Sequence, residues 1–355
     1  MTSQSKKFSA VLISLTLALS SAPNALASNV ANGKCPGAGR ATTIGGTKYI
    51  CTKSGKKLIW KKSVTKPVAP TTNQSSEDLK LEAIFNTIAA KMDQATPKFD
   101  ISVNVDPILS NSKWSSDSIA SIGTATKVLS ALGIDKGQPM KIYLSWGAEY
   151  KNQFLPDYCK VGSSGGGSCG QTGILFADLK WFADNWGYGG VEGPYRSEMD
   201  KFSFTANLPH EIAHYGQTEA ALAVGNTAYW MYTPPWLREG GAEYFKLLSS
   251  AYDNKRTYKS LHDLYVLNGI GSCSKFPLSK ISPKDSNSDG CEYGKGLLAV
   301  EYLVLKVGKP EALFMMQKTS GADTASIFEK TFGFSLSEFE KEADEYFLRV
   351  TAGKK

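Results

Sequence analysis

The sequence predicts an α+β fold, in which an N-terminal mixed β-sheet precedes a mainly helical C-terminal half, and a small disulfide-stapled β module stands in front. The hydrophobic period is close to two at residues 99–105, 140–146 and 173–177 and becomes helical from Leu208 onward. With 355 residues, of which 42% are hydrophobic, the chain can bury one large core and a small one, which excludes global disorder. Strands followed by helices are typical of two packed halves with a cleft between them.

Residues 1–27 have the composition of a secretory signal peptide. Lys6 and Lys7 precede an apolar stretch from Phe8 to Leu19, and Ala25-Leu26-Ala27 matches a cleavage site. An uncleaved membrane anchor is the alternative, but this apolar stretch is shorter than the ~20 residues that a spanning helix needs. We therefore expect a secreted, extracellular protein, either free or associated with the cell surface.

Residues 28–64 are predicted to form a small basic module of two or three short strands. Between Ser28 and Ser76 there are nine Lys or Arg residues and no Asp or Glu, whereas every acidic residue of the chain lies beyond Ser76. The segment resembles small Cys-paired, Lys-rich modules at the front of some secreted bacterial proteins. Its basic surface, with Tyr49 and Trp60, fits an anionic cell-wall polymer or a membrane surface. A solvated basic spacer is the alternative.

Residues 65–78 have linker composition, and residues 79–355 are the predicted main domain. Ser75 or Ser76 can cap its first helix. Strand-like segments follow at residues 99–105, 140–146 and 173–177. The Gly-rich run from Gly162 to Gly170 lacks the ending of a phosphate-binding loop and lies between two cysteines, so we predict a surface loop there.

The six cysteines fit an oxidising compartment. None has the CxxC spacing of a zinc ribbon. Proximity along the chain favours three pairs, although six cysteines allow 15 connectivities and the others stay open. The favoured pairs are Cys35 with Cys51, Cys159 with Cys169, and Cys273 with Cys291.

The segment His210-Glu211-Ile212-Ala213-His214 is an HExxH motif. Two imidazoles four residues apart share one helix face and can bind a single Zn²⁺, and the glutamate between them is a candidate general base. Asn207 or Thr205 can cap this helix, since Pro209 is tolerated in a first turn. The remaining histidine of the chain, His262, has no partner at ligand spacing, which favours a surface residue.

A catalytic zinc needs a third protein ligand and an open position for water. The long metzincin motif is excluded, because Gln217 stands where its glycine would be. The segment Trp236-Leu-Arg-Glu-Gly-Gly-Ala-Glu-Tyr244 resembles the W-x-x-E-G-x-A-E-Y signature of gluzincins, the clan of thermolysin-like enzymes, zinc aminopeptidases and bacterial collagenases. The resemblance implies a zincin-like fold with Glu239 as the third ligand.

Two further features lie in the same segment. Glu243 comes one helical turn after Glu239 and can accept a hydrogen bond from the distal nitrogen of a ligating histidine; a solvated helix residue is the alternative. Gly240 and Gly241 each cost a helix ~1 kcal/mol relative to alanine, which predicts close packing against the metal helix.

Tyr293-Gly-Lys-Gly resembles the Y-x-K-G helix start of the aminopeptidase branch, in which the tyrosine stabilises the oxyanion. The resemblance implies that role for Tyr293, with an ordinary helix-start tyrosine as the alternative. Just before it, Asp285, Asn287 and Asp289 follow the first half of a calcium loop. Gly296 stands where an EF-hand would have its glutamate, so a polar turn is favoured over a Ca²⁺ site.

The resemblance covers about Leu208 to Phe347 and implies a zinc-dependent metallopeptidase. It implies a protein or peptide substrate and no nucleic acid, with Glu211 as the base that activates water. The G-x-M-E-N segment of the aminopeptidase branch is absent, which favours an endopeptidase. The alternative is a non-catalytic cell-surface or wall-binding protein on a zincin scaffold, because a fold by itself does not establish an activity.

Overall fold

The computed structural model describes residues 41–44, 47–54, 57–62, 75–160, 164–267, 271–281 and 290–352. The chain divides into two compact units, Met1–Asn73 and Gln74–Lys355. The predicted signal peptide and the three calcium candidates, Asp285, Asn287 and Asp289, lie outside the described residues. Within the described part, no helix combines the length and the apolar character that crossing a bilayer requires.

The first unit contains a three-stranded antiparallel sheet. Its strands are β1 (Ala41–Ile44), β2 (Thr47–Ser54) and β3 (Lys57–Lys62), in the order β1-β2-β3. Cys51 of β2 pairs with Trp60 of β3 and is 1% exposed. Cys51 is disulfide-bonded, and its predicted partner, Cys35, lies outside the described residues.

The second unit contains a four-stranded sheet followed by a helical half, so the α+β prediction is confirmed. The strands are β4 (Ile101–Val105), β5 (Met140–Ser145), β6 (Gly166–Ser168) and β7 (Ile174–Asp178). The helices are α1 (Ser76–Gln94), α2 (Lys113–Ala131), α3 (Ala148–Asn152), α4 (Leu179–Asn185), α5 (Glu198–Thr205), α6 (Asn207–Leu222), α7 (Tyr229–Tyr232), α8 (Pro235–Asp253), α9 (Tyr258–Leu267), α10 (Cys291–Val307), α11 (Ala312–Met315), α12 (Thr324–Phe332) and α13 (Leu336–Thr351).

The sheet is mixed, with strand order β4-β5-β7-β6. β4, β5 and β7 run parallel, and helix α2 makes the crossover between β4 and β5 that parallel pairing requires. β6 runs antiparallel to β7 and forms one edge of the sheet.

The predicted surface loop at Gly162–Gly170 is wrong at its centre, where β6 pairs with β7. A Cβ at Gly167 would collide with the ring of Phe176 on the neighbouring strand. A Cβ at Gly166 would lie 2.7 Å from Oε1 of Glu211. The glycines therefore mark a close approach of the backbone to its neighbours, which is one of the reasons for glycine within a strand.

Helix α1 begins as predicted, with Ser75 as N-cap in a capping box with Asp78. The predicted cap of α6 is wrong, because α6 follows Ala206 and has no side-chain cap. Thr205 ends α5, and its hydroxyl donates to the carbonyl of Lys201. The side chain of Asn207 instead donates to the carbonyl of Gly165 at 2.7 Å, which ties the start of α6 to the strand edge.

Helices α6, α8 and α10 pack in sequence, with α8 in the middle. A Cβ at Gly240 of α8 would overlap the backbone of Gly296 of α10, so this glycine serves the contact with α10 and not, as predicted, with the metal helix. Gly241 does face α6, where a Cβ would lie 3.4 Å from Nε2 of Gln217. A disulfide joins Cys273 to Cys291, the first residue of α10, and a second joins Cys159 to Cys169.

The prediction that His262 lies at the surface is wrong. His262 is 3% exposed, and its Nε2 lies 3.3 Å from Oε2 of the fully buried Glu301. The hydroxyls of Tyr258 and Tyr346 also donate to Glu301. A single histidine in a helical pattern carries no information about which face of the helix it occupies, so its burial depended on tertiary packing.

Candidate metal centre

Three ligand-type atoms converge between α6 and α8. Nε2 of His214 lies 3.2 Å from Nε2 of His210 and 3.2 Å from Oε2 of Glu239. Nε2 of His210 lies 3.4 Å from the same Glu239 oxygen. All three residues are buried. Within the described ranges they form the one group of at least three His, Cys, Asp or Glu side chains that could hold a metal ion.

The donor set and its spacing fit Zn²⁺. Bonds of 2.0–2.2 Å from His nitrogen and carboxylate oxygen in a tetrahedral arrangement would separate the ligand atoms by about 3.3–3.6 Å. The separations in the structure, 3.2–3.4 Å, lie close to that range. Two imidazoles and one carboxylate, with a fourth position left for water, are also a ligand set of catalytic zinc sites.

Glu243 lies behind His210. Its Oε1 is 2.8 Å from Nδ1 of His210, although Nδ1 is not aligned with it for a hydrogen bond. The ammonium of Lys246 donates to both Glu243 oxygens, at 3.1 and 3.0 Å, and the hydroxyl of Tyr265 also bonds this carboxylate. At 3% exposure, Glu243 is not a solvated helix residue.

Gln217 lies behind His214, and its position is a feature that the sequence did not predict. Nδ1 of His214 lies 3.0 Å from Oε1 of Gln217, and Nε2 of Gln217 donates to the carbonyl of Arg238 at 2.9 Å. Nε of Arg238 in turn donates to Oε1 of Glu239 at 2.9 Å. The spacing of three residues between His214 and Gln217 on one helix was the available signal for this contact.

Glu211 lies beside the cluster and against the edge strand. It is 5% exposed and packs next to Asn207 and the backbone of Gly166. Burial raises the pKa of Glu211; positive charge on His210 and His214 opposes this shift. A carboxylate with a raised pKa is a stronger base, as a proton acceptor in catalysis requires.

Neighbouring charged groups shift the pKa values of the cluster residues in the metal-free protein. Burial disfavours a proton on His210, yet its contacts with Glu239 and Glu243 raise its pKa to about 10. Burial would raise the pKa of Glu243, but the charge of Lys246 and the contact with His210 bring it to about 2. In Glu239 burial is likewise outweighed by the two histidines, which hold the pKa of that carboxyl well below its usual range.

Tyr293, the third residue of α10, lies beside His210 of the cluster. Its ring centroid is 5.7 Å from that of His210, and 39% of the residue is exposed. Partial burial and the nearby carboxylates of Glu239 and Glu211 raise the pKa of Tyr293, so its hydroxyl keeps its proton and can donate.

A cavity of about 460 Å³ opens beside Tyr293. Its wall is mostly aromatic and apolar, and Lys246, whose ammonium pairs with Glu243, is the charged side chain that reaches it. Its main lining side chains are Trp181, Phe182, Trp186, Met199, Tyr265 and Tyr293.

Comparison with known proteins gives little beyond this geometry. No protein-family model matches the chain, and no curated protein matches it. Among solved structures, the chain is similar to an M1 zinc metallopeptidase from Deinococcus radiodurans, with 14% sequence identity and a TM-score of 0.35. The similarity covers 74% of this chain and 49% of that chain, so this protein spans about half the length of the other. A TM-score of this size does not establish a shared fold.

Proposed function

We propose that this protein is a secreted zinc-dependent peptidase with a zincin-like catalytic domain. The observation that carries the proposal is the convergence of His210, His214 and Glu239 within 3.4 Å of one another, with Glu211 beside them. Secretion is supported by the signal-like residues 1–27 and by the disulfides.

In this proposal His210, His214 and Glu239 hold the metal. Bound Zn²⁺ would polarise the scissile carbonyl and make a water molecule acidic near neutral pH. Glu211 accepts the proton of the attacking water and transfers it to the leaving amine, for which its raised pKa is suited. Tyr293 donates a hydrogen bond to the carbonyl oxygen as negative charge develops there.

We expect the substrate backbone to bind along the edge strand β6. One side of β6 pairs with β7 and, in the described part of the chain, the sheet ends on the other side, while Glu211 lies against the face of β6 at Gly166. An extended peptide can add to such an edge through main-chain hydrogen bonds, and antiparallel addition is the more stable form. Because this docking uses the backbone and needs no chain end, it favours an endopeptidase over an aminopeptidase.

The aromatic cavity then receives the side chain that follows the scissile bond. A peptide antiparallel to β6 runs parallel to β7, so its C-terminal part passes the end of β7 at Asp178. Trp181 and Phe182 of α4, which line the cavity, come directly after that end and lie against Gly165. We therefore propose cleavage before large apolar residues such as Phe or Leu.

The decisive experiment compares wild type with Glu211→Gln. We expect the variant to keep stoichiometric zinc, measured by plasma mass spectrometry, and to lose hydrolysis of casein and of a quenched peptide with Phe after the scissile bond. The loss should exceed about 10²-fold, the lower range for a general base. Glu219→Gln is the matched control, since this half-buried glutamate lies on the same helix and contacts Gln138 instead of the cluster.

Each outcome separates the candidate functions. Equal hydrolysis by wild type and Glu211→Gln would remove Glu211 from the mechanism. Wild type that binds zinc but cleaves none of the substrates would favour the second candidate, a non-catalytic cell-surface or wall-binding protein.

We further propose that the basic module binds an anionic polymer of the cell wall. Lys57 and Lys61 of β3 are exposed. They share one face of the sheet, because residues two apart point to the same side, while Trp60 points to the side of the buried Cys51. Two exposed lysines on one face of the sheet suit the regularly spaced charges of a polyanion.

The test replaces both lysines in the full chain, as Lys57→Gln with Lys61→Gln. We expect retention on purified anionic wall polymer to fall severalfold at low salt and to disappear for both proteins at high salt, where exposed charges are screened. Lys80→Gln with Lys98→Gln, two exposed lysines of the second unit, is the charge-matched control. Unchanged retention of the first variant, or retention on anionic vesicles but not on the polymer, would contradict this proposal.

A further inference from the structure

One residue, Arg238, is joined to two of the three predicted ligands by separate contacts. Its backbone carbonyl accepts from Gln217, whose Oε1 lies 3.0 Å from Nδ1 of His214. Its side chain donates from Nε to Oε1 of Glu239 at 2.9 Å. Gln217 is fully buried and the side chain of Arg238 is 13% exposed, so both contacts are shielded from solvent.

We propose that Gln217 and Arg238 act as one positioning unit that sets the orientation of His214 and Glu239 for a divalent cation. This inference rests on the zinc site of the proposed function and goes beyond it, because it assigns a role to residues that are not ligands. Neither side chain touches the place where the three ligand atoms meet.

The first contact determines which nitrogen of His214 is free. The carbonyl oxygen of the Gln217 amide can only accept, so the hydrogen of the imidazole must sit on Nδ1. The lone pair is then on Nε2, which faces His210 and Glu239. Gln217 keeps its own orientation because its NH₂ group donates to the carbonyl of Arg238.

The second contact determines which oxygen of Glu239 is free. Arg238 occupies Oε1, and Oε2 is left to face both histidines. The guanidinium is itself held in place, since it stacks 4.1 Å from the ring centroid of Trp230. A lysine could supply the charge, but it has neither the planar group nor a donor in the position of Nε.

The two contacts are coupled because both end on the first turns of α8. Loss of the Gln217 contact removes a hydrogen bond to the backbone of Arg238, the residue whose side chain orients Glu239. Loss of the guanidinium contact leaves Gln217 bonded to the carbonyl of Arg238, but Oε1 of Glu239 then lacks its donor. Removal of either contact should therefore weaken metal binding, and removal of both should add little.

The experiment measures zinc affinity of the full chain by competition with a chelating dye. The variants are Gln217→Met, Arg238→Met and the double variant, in which methionine keeps the apolar volume. We expect each single variant to bind zinc about 10- to 100-fold more weakly, the range found for partners of metal ligands. The double variant should lose little more zinc affinity than the single variant that binds zinc more weakly. Arg238→Lys should recover only part of the loss.

Matched controls separate positioning from general damage. Gln317→Met replaces another fully buried glutamine, and Arg196→Met removes another guanidinium stacked on an aromatic ring, 4.3 Å from that of Tyr188. Both controls should bind zinc like wild type. Thermal unfolding of the metal-free proteins shows whether each variant folds. If Gln217→Met does not fold, Arg238→Met and Arg238→Lys still carry the test.

The Co²⁺-substituted protein gives a second readout, because its visible absorption reports ligand geometry. We expect both single variants to change this spectrum. Wild-type zinc affinity in Gln217→Met and Arg238→Met would overturn the inference while leaving the zinc site intact. Losses that multiply in the double variant would overturn the coupling. Absence of zinc binding by wild type would instead defeat the proposed function itself.

Discussion

In the proposed reaction the hydroxyl of Tyr293 can serve only as a donor, because its environment keeps the proton in place. The residue faces a region rich in carboxylates, with Glu239, Glu211 and Glu243 all acting to raise its pKa. The same carboxylates would repel negative charge on a substrate oxygen. A neutral donor beside His210 is therefore a group that can offset this repulsion.

Replacement of Tyr293 by phenylalanine should slow the chemical step. Loss of one oxyanion donor typically lowers kcat by about 10²–10³. We expect KM and zinc content to stay near wild-type values, since the ring remains and Tyr293 is not a predicted ligand. Steady-state kinetics with the quenched peptide measures both constants, and Tyr158→Phe, at a tyrosine that is 73% exposed, is the control. An unchanged kcat would show that Tyr293 is not the donor.

The distance between helices α8 and α10 depends on a close contact between two glycines. Gly240 and Gly296 lie backbone to backbone, and a Cβ at either position would meet the other helix within 3 Å. Three residues before Gly296, Tyr293 points from the same helix toward His210. The close approach of the two glycines thus helps to set how far Tyr293 lies from His210.

Gly240→Ala should force α8 and α10 apart. Overpacking of this kind costs roughly 1–3 kcal/mol, so the free energy of unfolding should fall by that amount in urea titrations. Activity should fall as well, because the shift moves Tyr293 away from the cluster. Gly123→Ala in the middle of α2 is the matched control, since a Cβ there meets nothing within 4 Å. That variant should be equal to wild type or more stable by about 0.5–1 kcal/mol. A stable, active Gly240→Ala protein would contradict this account.

The elements that could be predicted from the sequence are those with a local signal. The histidines of α6 share a short motif, and Glu239 lies within a recognisable segment, so these residues needed no tertiary information. The sequence predicts a loop where β6 forms, because glycines required by close packing have the same composition as a turn. The contact between Gln217 and Arg238 depends on how α6 packs against α8, which no pattern within either helix reports. The burial of His262 depends on tertiary packing in the same way.

Within the unit Gln74–Lys355, the predicted metal would link two halves of the fold. His210 and His214 belong to α6, which the side chain of Asn207 ties to the sheet edge at Gly165, and Glu239 belongs to α8 in the helical half. In the metal-free protein the contacts of His210 with Glu239 and Glu243 balance charge, and Glu243 also pairs with Lys246. A bound cation would instead join α6 and α8 through bonds to their side chains. Any ligand that binds only the folded state stabilises that state.

Removal of zinc should therefore lower the thermal stability of the whole unit Gln74–Lys355. With free zinc at about 100 times its dissociation constant, the folded state gains ~2.7 kcal/mol. For a domain of this size ~1 kcal/mol corresponds to roughly 2 °C, so calorimetry with and without a chelator should show a fall in Tm of about 5 °C. Glu239→Gln should have nearly the same Tm in both conditions, because it lacks the carboxylate that joins α8 to the metal. Glu219→Gln should respond to the chelator like wild type. An equal response of wild type and Glu239→Gln would mean that zinc does not bridge α6 and α8 through Glu239.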